Sequence, residues 1–140
     1  MPLQKEIREL LDRPNFVHFS TLLADGSPSS TPVWAAVEGD HIVICTGESS
    51  LKARNVRRDP RIAISVVDFD NPYEEALIRG HVIEIRDDSS FKTIDAISHK
   101  YTGKPFPLRN LKEIVMVIEV EEAHYAKLPF EHTPPEVEPV

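Results

Sequence analysis

The chain has 140 residues, of which 41% are hydrophobic and 28% charged, enough for one compact domain with its own core. A single cysteine, Cys45, excludes an intramolecular disulfide framework and a multi-cysteine zinc site. The net charge of −7 argues against nonspecific nucleic-acid binding. No apolar run approaches the roughly 18 residues of a membrane span, and Met1–Glu9 carries charges where a signal peptide would be apolar. We therefore expect a cytoplasmic protein without a membrane or nucleic-acid partner.

The first part of the chain predicts one helix followed by antiparallel strands. Apolar residues recur at helical spacing between Pro2 and Pro14, which indicates a short amphipathic helix. Tight turns at Asp25-Gly26 and Gly39-Asp40 then separate three runs rich in β-forming residues, which together predict an antiparallel meander. The three runs are Phe16–Leu23, Ser30–Val37 and His41–Thr46.

Helical and extended segments alternate in the remainder of the chain. Ser49 or Ser50 is expected to cap a second helix that ends before Pro60. Ser89 or Ser90 is expected to cap a third helix, with Gly103 at its C-terminal end. The strands predicted here are Arg61–Val67, Ala76–Arg86 with a bulge or a barrel corner at Gly80, and Ile114–Val120, with His124–Lys127 pairing at an edge.

About six strands and three helices without alternating β-α-β units predict a mainly β fold, a small barrel rather than a parallel sheet. We assign residues 1–128 to a single domain. Residues 129–140 are acidic and rich in proline, so they form a tail that has little to bury and is expected to be mobile or loosely docked.

Basic residues cluster within one segment of this otherwise acidic protein. A solvated helix face is the plain explanation of such a run. However, Thr46 and Ser50 place hydroxyl donors just before it, and Lys52 lies on the first helical turn, where free N–H groups and the helix dipole favour an anion. The segment therefore predicts a phosphate site, with a solvated face as the alternative. Its basic residues are Lys52, Arg54, Arg57, Arg58 and Arg61.

Other chemistry is mostly excluded by the absence of its motifs. None of the six histidines forms a pair at metal-ligand spacing, so no metal site is expected. Nucleophile-elbow, dinucleotide-binding and Walker motifs are absent from the sequence, and Cys45 is interpreted as a small buried residue. Trp34, the only tryptophan, follows Thr31-Pro32-Val33 and is equally compatible with core packing and with a wall beside a planar ligand ring.

The order of these features resembles the pyridoxamine 5′-phosphate oxidase-like, flavin-binding split β-barrels. Within them the chain is most similar to the short branch that uses the deazaflavin coenzyme F420. The likeness runs from about residue 3 to residue 127. The segments that carry it are Thr31-Pro32-Val33-Trp34, the strand ending in Thr46, Ser50-x-Lys52-x-x-Asn55-x-x-x-Asp59-Pro60-x-x-Ala63, the whole of Lys52–Arg61, Tyr101–Pro107 and Glu122–Tyr125.

The resemblance implies a six-stranded antiparallel split barrel that forms a homodimer with two cofactor sites at its interface. The phosphate would be held around Ser50 and Lys52, the ring system would lie along Thr31 to Trp34, and Thr46 would face the ribityl chain. His124 would approach from the partner subunit. The cofactor-binding residues implied are Thr31, Pro32, Val33, Trp34, Thr46, Ser50, Lys52, Ala53, Arg54, Asn55 and His124, while Arg57, Arg58 and Arg61 would meet the glutamate tail of F420.

The function implied is an F420-dependent oxidoreductase that transfers a hydride between the cofactor and an activated double bond of a small organic substrate. Tyr101 and His124 are candidate proton donors, and no catalytic residue is assigned. The alternatives are an oxidase or reductase that uses flavin mononucleotide (FMN), and a non-catalytic barrel that binds a cofactor or haem. The last ten residues contain no arginine, unlike the C-terminal segment of the enzymes that oxidise vitamin B6, so that reaction is not expected.

Overall fold

Antiparallel strands make up most of the fold, in one seven-stranded sheet accompanied by three helices. A computed structural model describes residues 1–136 and 139. The elements in chain order are α1 (Lys5–Asp12), β1 (Val17–Leu22), β2 (Pro28–Val33), β3 (Ala36–Glu38), β4 (His41–Gly47), α2 (Leu51–Arg58), β5 (Arg61–Val67), β6 (Glu74–Asp87), α3 (Lys92–Thr102) and β7 (Glu113–Lys127).

The strand order of the sheet is β2-β1-β5-β6-β7-β4-β3. The mainly β, antiparallel class with three helices is therefore confirmed, whereas six strands and a continuous meander were wrong. The sheet is also not closed into a barrel, since β2 and β3 form its two edges. The predicted run Ser30–Val37 is two strands, β2 and β3, which lie at opposite edges of the sheet although they are neighbours in sequence. Each pairs in its own hairpin, β2 with β1 and β3 with β4.

Two side chains of α3 explain why the predicted strand is interrupted. The ammonium of Lys100 donates to the carbonyl oxygen of Ala35 at 2.5 Å, and the N–H of Ala35 donates to the Tyr101 hydroxyl at 3.2 Å. Both backbone groups of Ala35 thus bond to side chains instead of a neighbouring strand. Strand propensity alone does not reveal such a competitor, because it comes from a helix far along the chain.

The bulge expected at Gly80 is confirmed, since the register of β6 against β7 shifts between Arg79 and Gly80. A Cβ atom at Gly80 would overlap the backbone carbonyl oxygen of Glu119. The predicted strand Ile114–Val120 and the segment His124–Lys127 form one continuous strand, β7, which pairs with β6 along its length.

The helix ends follow capping chemistry. Ser50 caps α2 as predicted, its hydroxyl oxygen accepting from the N–H of Ala53. Gly103 ends α3 with a φ of 74°, also as predicted. The expected cap at Ser89 or Ser90 was wrong, because the carboxylate of Asp88 accepts the N–H groups of Thr93 and Ile94 in the first turn of α3 instead.

The main core lies between the concave side of the sheet and α1. Ile7, Leu10 and Leu11 of α1 are buried against it. A second apolar cluster lies between α3 and strands β4 and β7, and it includes Ile97 and Trp34. The second cluster fixes α3, which also covers the candidate site described below.

An ion-pair network ties the end of α1 to β6. The guanidinium of Arg13 bonds to both carboxylate oxygens of Glu74 at 3.1 and 3.2 Å and to Asp68 at 2.6 Å. The Tyr125 hydroxyl donates to Glu74 at 2.7 Å. The hydrogen bond from Arg13 holds the pKa of Glu74 below its usual range.

Regular structure ends at Lys127. The ring of Phe130 then lies 5.3 Å from that of Tyr73, and residues 131–136 have no helix or strand. Residues 137, 138 and 140 of the tail expected at 129–140 lie outside the described residues. Among residues 1–136 and 139, no helix is long and apolar enough to cross a membrane.

The close approach at the bulge predicts that Gly80→Ala lowers the free energy of unfolding by about 1–3 kcal/mol, the range for an overpacked core position. Gly47→Ala is the matched control, because its Cβ would meet no atom within 4 Å. Urea denaturation of both variants measures the difference. Equal stability of the two variants would contradict the close approach.

The ion pair of Glu74 predicts an acid-dependent loss of stability. Because the pKa of Glu74 is lower in the folded protein, its contribution is complete above the pKa of an unfolded glutamate and disappears as the pH falls through the folded value. Glu74→Gln should lower the free energy of unfolding at neutral pH by about 1.5–3 kcal/mol and flatten its acid limb. Denaturation across the acid range measures the free energy of unfolding against pH, with Glu75→Gln as the control. Equal pH dependence of Glu74→Gln and the unaltered chain would refute the prediction.

Candidate functional site

A cavity of about 320 Å³ opens between β2, β4, α2 and α3. Its lining combines aromatic rings with apolar side chains, one ammonium and one carboxylate. This composition suits a flat, largely apolar ligand that carries a few polar groups. The lining residues are Phe16, Pro32, Val33, Trp34, Cys45, Thr46, Gly47, Lys52, Ile94, Ile97, Phe106 and Glu113.

Stacked aromatic rings form one wall of the cavity. Trp34 is stacked on Tyr101, with ring centroids 5.2 Å apart and planes 11° from parallel. Phe106 meets Trp34 edge-on at 6.5 Å. Trp34 packs on the α3 cluster, as core packing would have it, and its side chain also lines the cavity. Its role as a wall beside a planar ligand ring stays a prediction.

The Tyr101 hydroxyl holds this wall in place. It donates to the carbonyl oxygen of Asn15 at 2.6 Å and accepts from the N–H of Ala35 at 3.2 Å. Burial raises the pKa of Tyr101 above its usual range. The hydroxyl proton is thus retained and directed to the backbone, which gives Tyr101 a positioning role.

The first turn of α2 forms a corner of hydrogen-bond donors beside this wall, at the place where the sequence predicts an anion-binding site. Thr46 donates to the Ser50 hydroxyl oxygen at 2.9 Å, and that oxygen also accepts from the N–H of Ala53 at 3.1 Å. With two donors bound, the hydroxyl of Ser50 has its own proton left to donate. The ammonium of Lys52 lines the same cavity.

Backbone N–H groups add to this corner. The N–H of Arg54 donates to the carbonyl oxygen of Ser50, and that of Ala53 to its hydroxyl. Within the described part of the chain this leaves the N–H groups of Leu51 and Lys52 without an acceptor, as is usual for the first turn of a helix. Two N–H groups, a hydroxyl and an ammonium together suit a phosphate.

Most of the neighbouring arginines are held by their own chain. Arg57 donates to the carbonyl oxygen of Glu48 at 2.8 Å, and Arg58 donates to that of Leu22 at 3.2 Å. Arg61 pairs with the carboxylate of Asp59 at 2.7 Å. These contacts compete with the predicted role of all three in binding an acidic tail.

The structure brings some of the predicted site residues together and places others elsewhere. Thr31 is half-buried on β2 opposite Phe19 and outside the cavity lining. Ala53 is buried in the protein interior, while Arg54 is exposed on α2. Ser50 is joined to the cavity through its bond with Thr46. The predicted residues that line the cavity are Pro32, Val33, Trp34, Thr46 and Lys52.

Asn55 and His124 lie away from the cavity. Asn55 is fully buried, and its amide donates to the Thr21 hydroxyl at 3.0 Å, so its side chain joins α2 to β1. His124 is exposed on β7, where its ring contacts Glu122 at 2.8 Å. Any contact of His124 with a ligand in the cavity would have to come from another copy of the chain.

Sequence reasoning did not assign several residues to the cavity. Glu113 is only 3% exposed and lines it, although a single glutamate before an apolar strand has no distinctive sequence signal. Phe106 lies within the segment Tyr101–Pro107, which carries part of the resemblance. Cys45, expected to be buried, is half-buried and lines the cavity. Desolvation raises the pKa of its thiol.

These features define a mainly β protein with a cavity suited to a phosphate-bearing planar ligand. Residues 3–127 match the sequence profile of the pyridoxamine 5′-phosphate oxidase family. The chain belongs to this family, as the resemblance of its motifs predicted. No curated protein matches it significantly.

Solved structures support the same assignment. An F420 reductase is 28% identical with a TM-score of 0.78, the alignment covering 89% of this chain and 98% of that one. A conserved hypothetical protein from Mycobacterium tuberculosis, Rv2991, is 22% identical with a TM-score of 0.77, covering 96% and 94%. General stress protein 26 from Bacillus anthracis is 15% identical with a TM-score of 0.67, covering 87% and 92%. The last two likenesses show the fold alone.

Because the Tyr101 hydroxyl bonds to the backbone of Asn15 and of Ala35, we expect its removal to lower the stability of the protein. Tyr101→Phe leaves the carbonyl of Asn15 and the N–H of Ala35 without this partner, which should lower the free energy of unfolding by about 1–3 kcal/mol. Urea denaturation followed by the fluorescence of Trp34 measures both the stability and the environment of the wall. Tyr73→Phe is the control, because Tyr73 lies outside the cavity lining; equal losses in the two variants would contradict the positioning role.

Proposed function

We propose that the protein is an oxidoreductase that transfers a hydride between coenzyme F420 and an activated double bond of a small organic substrate. The observation that carries this proposal is the aromatic-walled cavity beside the corner of hydrogen-bond donors of α2. The likeness to an F420 reductase across 89% of the chain supports the choice of cofactor. Fold alone would not support it, since one fold hosts many activities.

The residues of the cavity fit the parts of this cofactor. The phosphate would bind the hydroxyl of Ser50, the ammonium of Lys52 and the free N–H groups at the start of α2. The ring system would lie along Pro32, Val33 and Trp34. When bound and reduced, the cofactor supplies a hydride from its ring, whereas the protein supplies position and excludes water.

We further propose that two copies of the chain form a homodimer with the cofactor sites at the interface. Small side chains, Ser20, Ala63 and Ser65, share a side of the sheet with Leu77, which is 52% exposed. Flat surfaces of small and apolar residues suit close packing of a second sheet. His124 lies on this same side, from which it would reach the partner's cofactor.

FMN is the second candidate cofactor. The own-chain contacts of Arg57, Arg58 and Arg61 favour it. They leave Arg54 as the exposed arginine of α2 whose guanidinium has no hydrogen bond or ion pair among the described residues. F420 carries an acidic tail that would use several cations, whereas FMN ends at its phosphate. Membership of the pyridoxamine 5′-phosphate oxidase family is compatible with either F420 or FMN as the cofactor.

Parallel titrations with oxidised F420 and with FMN test the proposal. Trp34 is the only tryptophan and lines the cavity, so quenching of its emission reports binding directly. Tighter binding of F420, followed by hydride transfer from reduced F420 to an activated alkene, is the expected result. Tighter binding of FMN would mean that the protein uses a flavin. Binding of neither would mean that the cavity serves another ligand, such as haem. Sedimentation of the same samples measures the proposed dimer.

The ammonium of Lys52 predicts a specific loss of cofactor affinity. Lys52→Ala should weaken binding by about 1.5–3 kcal/mol, the range for a hydrogen bond to a charged group, which is about 10–150-fold in Kd. Lys5→Ala is the matched control, since it removes the same charge from α1, where the side chain is 82% exposed. Unchanged affinity of Lys52→Ala would place the phosphate elsewhere.

A further inference from the structure

One carboxylate of the cavity has no role in the proposed binding of the cofactor phosphate. Glu113 begins β7 opposite Gly47 of β4, and both line the cavity. The residue is only 3% exposed, and among residues 1–136 and 139 its carboxylate accepts no hydrogen bond. No buried polar side-chain atom of these residues lacks a partner, so the carboxylate oxygens are accessible from the cavity. Burial of the rest of the side chain penalises the charged form, so this carboxyl group is placed to bond a ligand in the cavity.

The neighbouring carboxylate, Asp88, differs from Glu113 in its partners. Asp88 accepts the N–H groups of Thr93 and Ile94 at 3.1 and 2.9 Å, at the start of α3. These donors and the helix dipole stabilise a negative charge on Asp88. The two segments are directly joined, since the N–H of Asp88 donates to the carbonyl oxygen of Glu113 at 3.0 Å.

The surroundings of Glu113 and Asp88 therefore act differently on the two carboxyl groups. Burial, and next the charge of Asp88, raise the pKa of Glu113 above its usual range. The two carboxylates therefore differ in their surroundings: Asp88 accepts two backbone N–H groups, whereas the surroundings of Glu113 favour its neutral form.

We propose that Glu113 holds a proton in the cavity and donates a hydrogen bond from its carboxyl group to a carbonyl oxygen of the bound ligand. This proposal deepens the proposed function and rests on it for the identity of the ligand. The class of ligand it selects is a planar conjugated carbonyl compound, either the ring of the cofactor or a substrate whose double bond is activated by a carbonyl group. A neutral donor in an apolar cavity favours a carbonyl oxygen over a carboxylate-binding or cation-binding role.

Other ionisable groups lie around Glu113 on the elements that form the cavity and its rim. From β4, Cys45 remains a neutral thiol, because burial raises its pKa. From α2, Lys52 lines the same cavity. At the adjoining rim, Glu48 and Lys112 pair with each other at 3.2 Å. The cavity lining from α3, Ile94 and Ile97, is apolar.

The first test reads the proton directly in the ligand-free protein. The carboxyl carbon resonance of Glu113 is followed by NMR against pH and identified by its loss in Glu113→Gln. A midpoint above that of Glu6 in the same spectra is expected, because Glu6 is exposed and its carboxylate has no hydrogen bond or ion pair among the described residues. A midpoint equal to or below that of Glu6 would overturn the proposal, whether or not any cofactor binds.

The second test measures Kd for FMN and for oxidised F420 against pH in three proteins: the unaltered chain, Glu113→Gln and the control Glu48→Gln. The amide of Glu113→Gln donates a hydrogen bond at every pH. The unaltered protein should lose affinity relative to Glu113→Gln by up to about tenfold per pH unit above the midpoint. Taking this ratio removes the titration of the ligand itself, and Glu48→Gln should follow the unaltered chain.

The outcomes separate the two proposals. A ratio that is constant with pH while a cofactor binds would overturn the role of Glu113 and leave the proposed function intact. Failure of both cofactors to bind would overturn the proposed function together with the donor role toward them, and the NMR midpoint would still decide whether Glu113 holds a proton. A ratio that changes in the opposite direction would show an ionised Glu113 accepting from a ligand N–H group, which also contradicts the proposal.

Discussion

The backbone of Ala35 is the point on which the arrangement of the sheet and the site depends. Here the chain leaves one edge of the sheet and begins the other, and the ladder of hydrogen bonds stops. Lys100 and Tyr101 of α3 supply the missing partners. The same ammonium donates to the carbonyl oxygen of Leu11 at 2.8 Å. One turn of α3 therefore joins α1, the crossing between β2 and β3, and the tryptophan that forms the cavity wall.

This junction explains why the cavity is built from rigid parts. Trp34 precedes Ala35 directly, so the bonds that hold Ala35 also orient the indole ring against Tyr101. Burial lowers the pKa of Lys100 to about 8, and its two carbonyl acceptors offset the cost of keeping an ammonium there. A ligand ring placed beside Trp34 would thus meet a surface that needs little reorganisation, which favours affinity.

The two ionisable groups of the cavity have contrasting surroundings. Lys52 lies at the start of α2, where Ser50 and free N–H groups favour an anion. Glu113 lies in an apolar part beside a second carboxylate, so a neutral form is favoured there. An anionic group and a carbonyl group on one planar molecule would match these two features together. Flavins and deazaflavins have this combination, which agrees with the family to which the chain belongs.

The features that the sequence predicted correctly are mostly those that depend on interactions between adjacent residues. The cap at Ser50, the bulge at Gly80 and the end of α3 at Gly103 depend on a few adjacent residues, and the order of motifs indicated the family. The cap by Asp88 is local too, but the neighbouring serines gave the same sequence signal. The break at Ala35 and the placement of Glu113 in the cavity were decided by tertiary structure. Both depend on groups that are distant in sequence, and hydrogen bonds or burial formed between such groups leave no periodic pattern for the sequence to display.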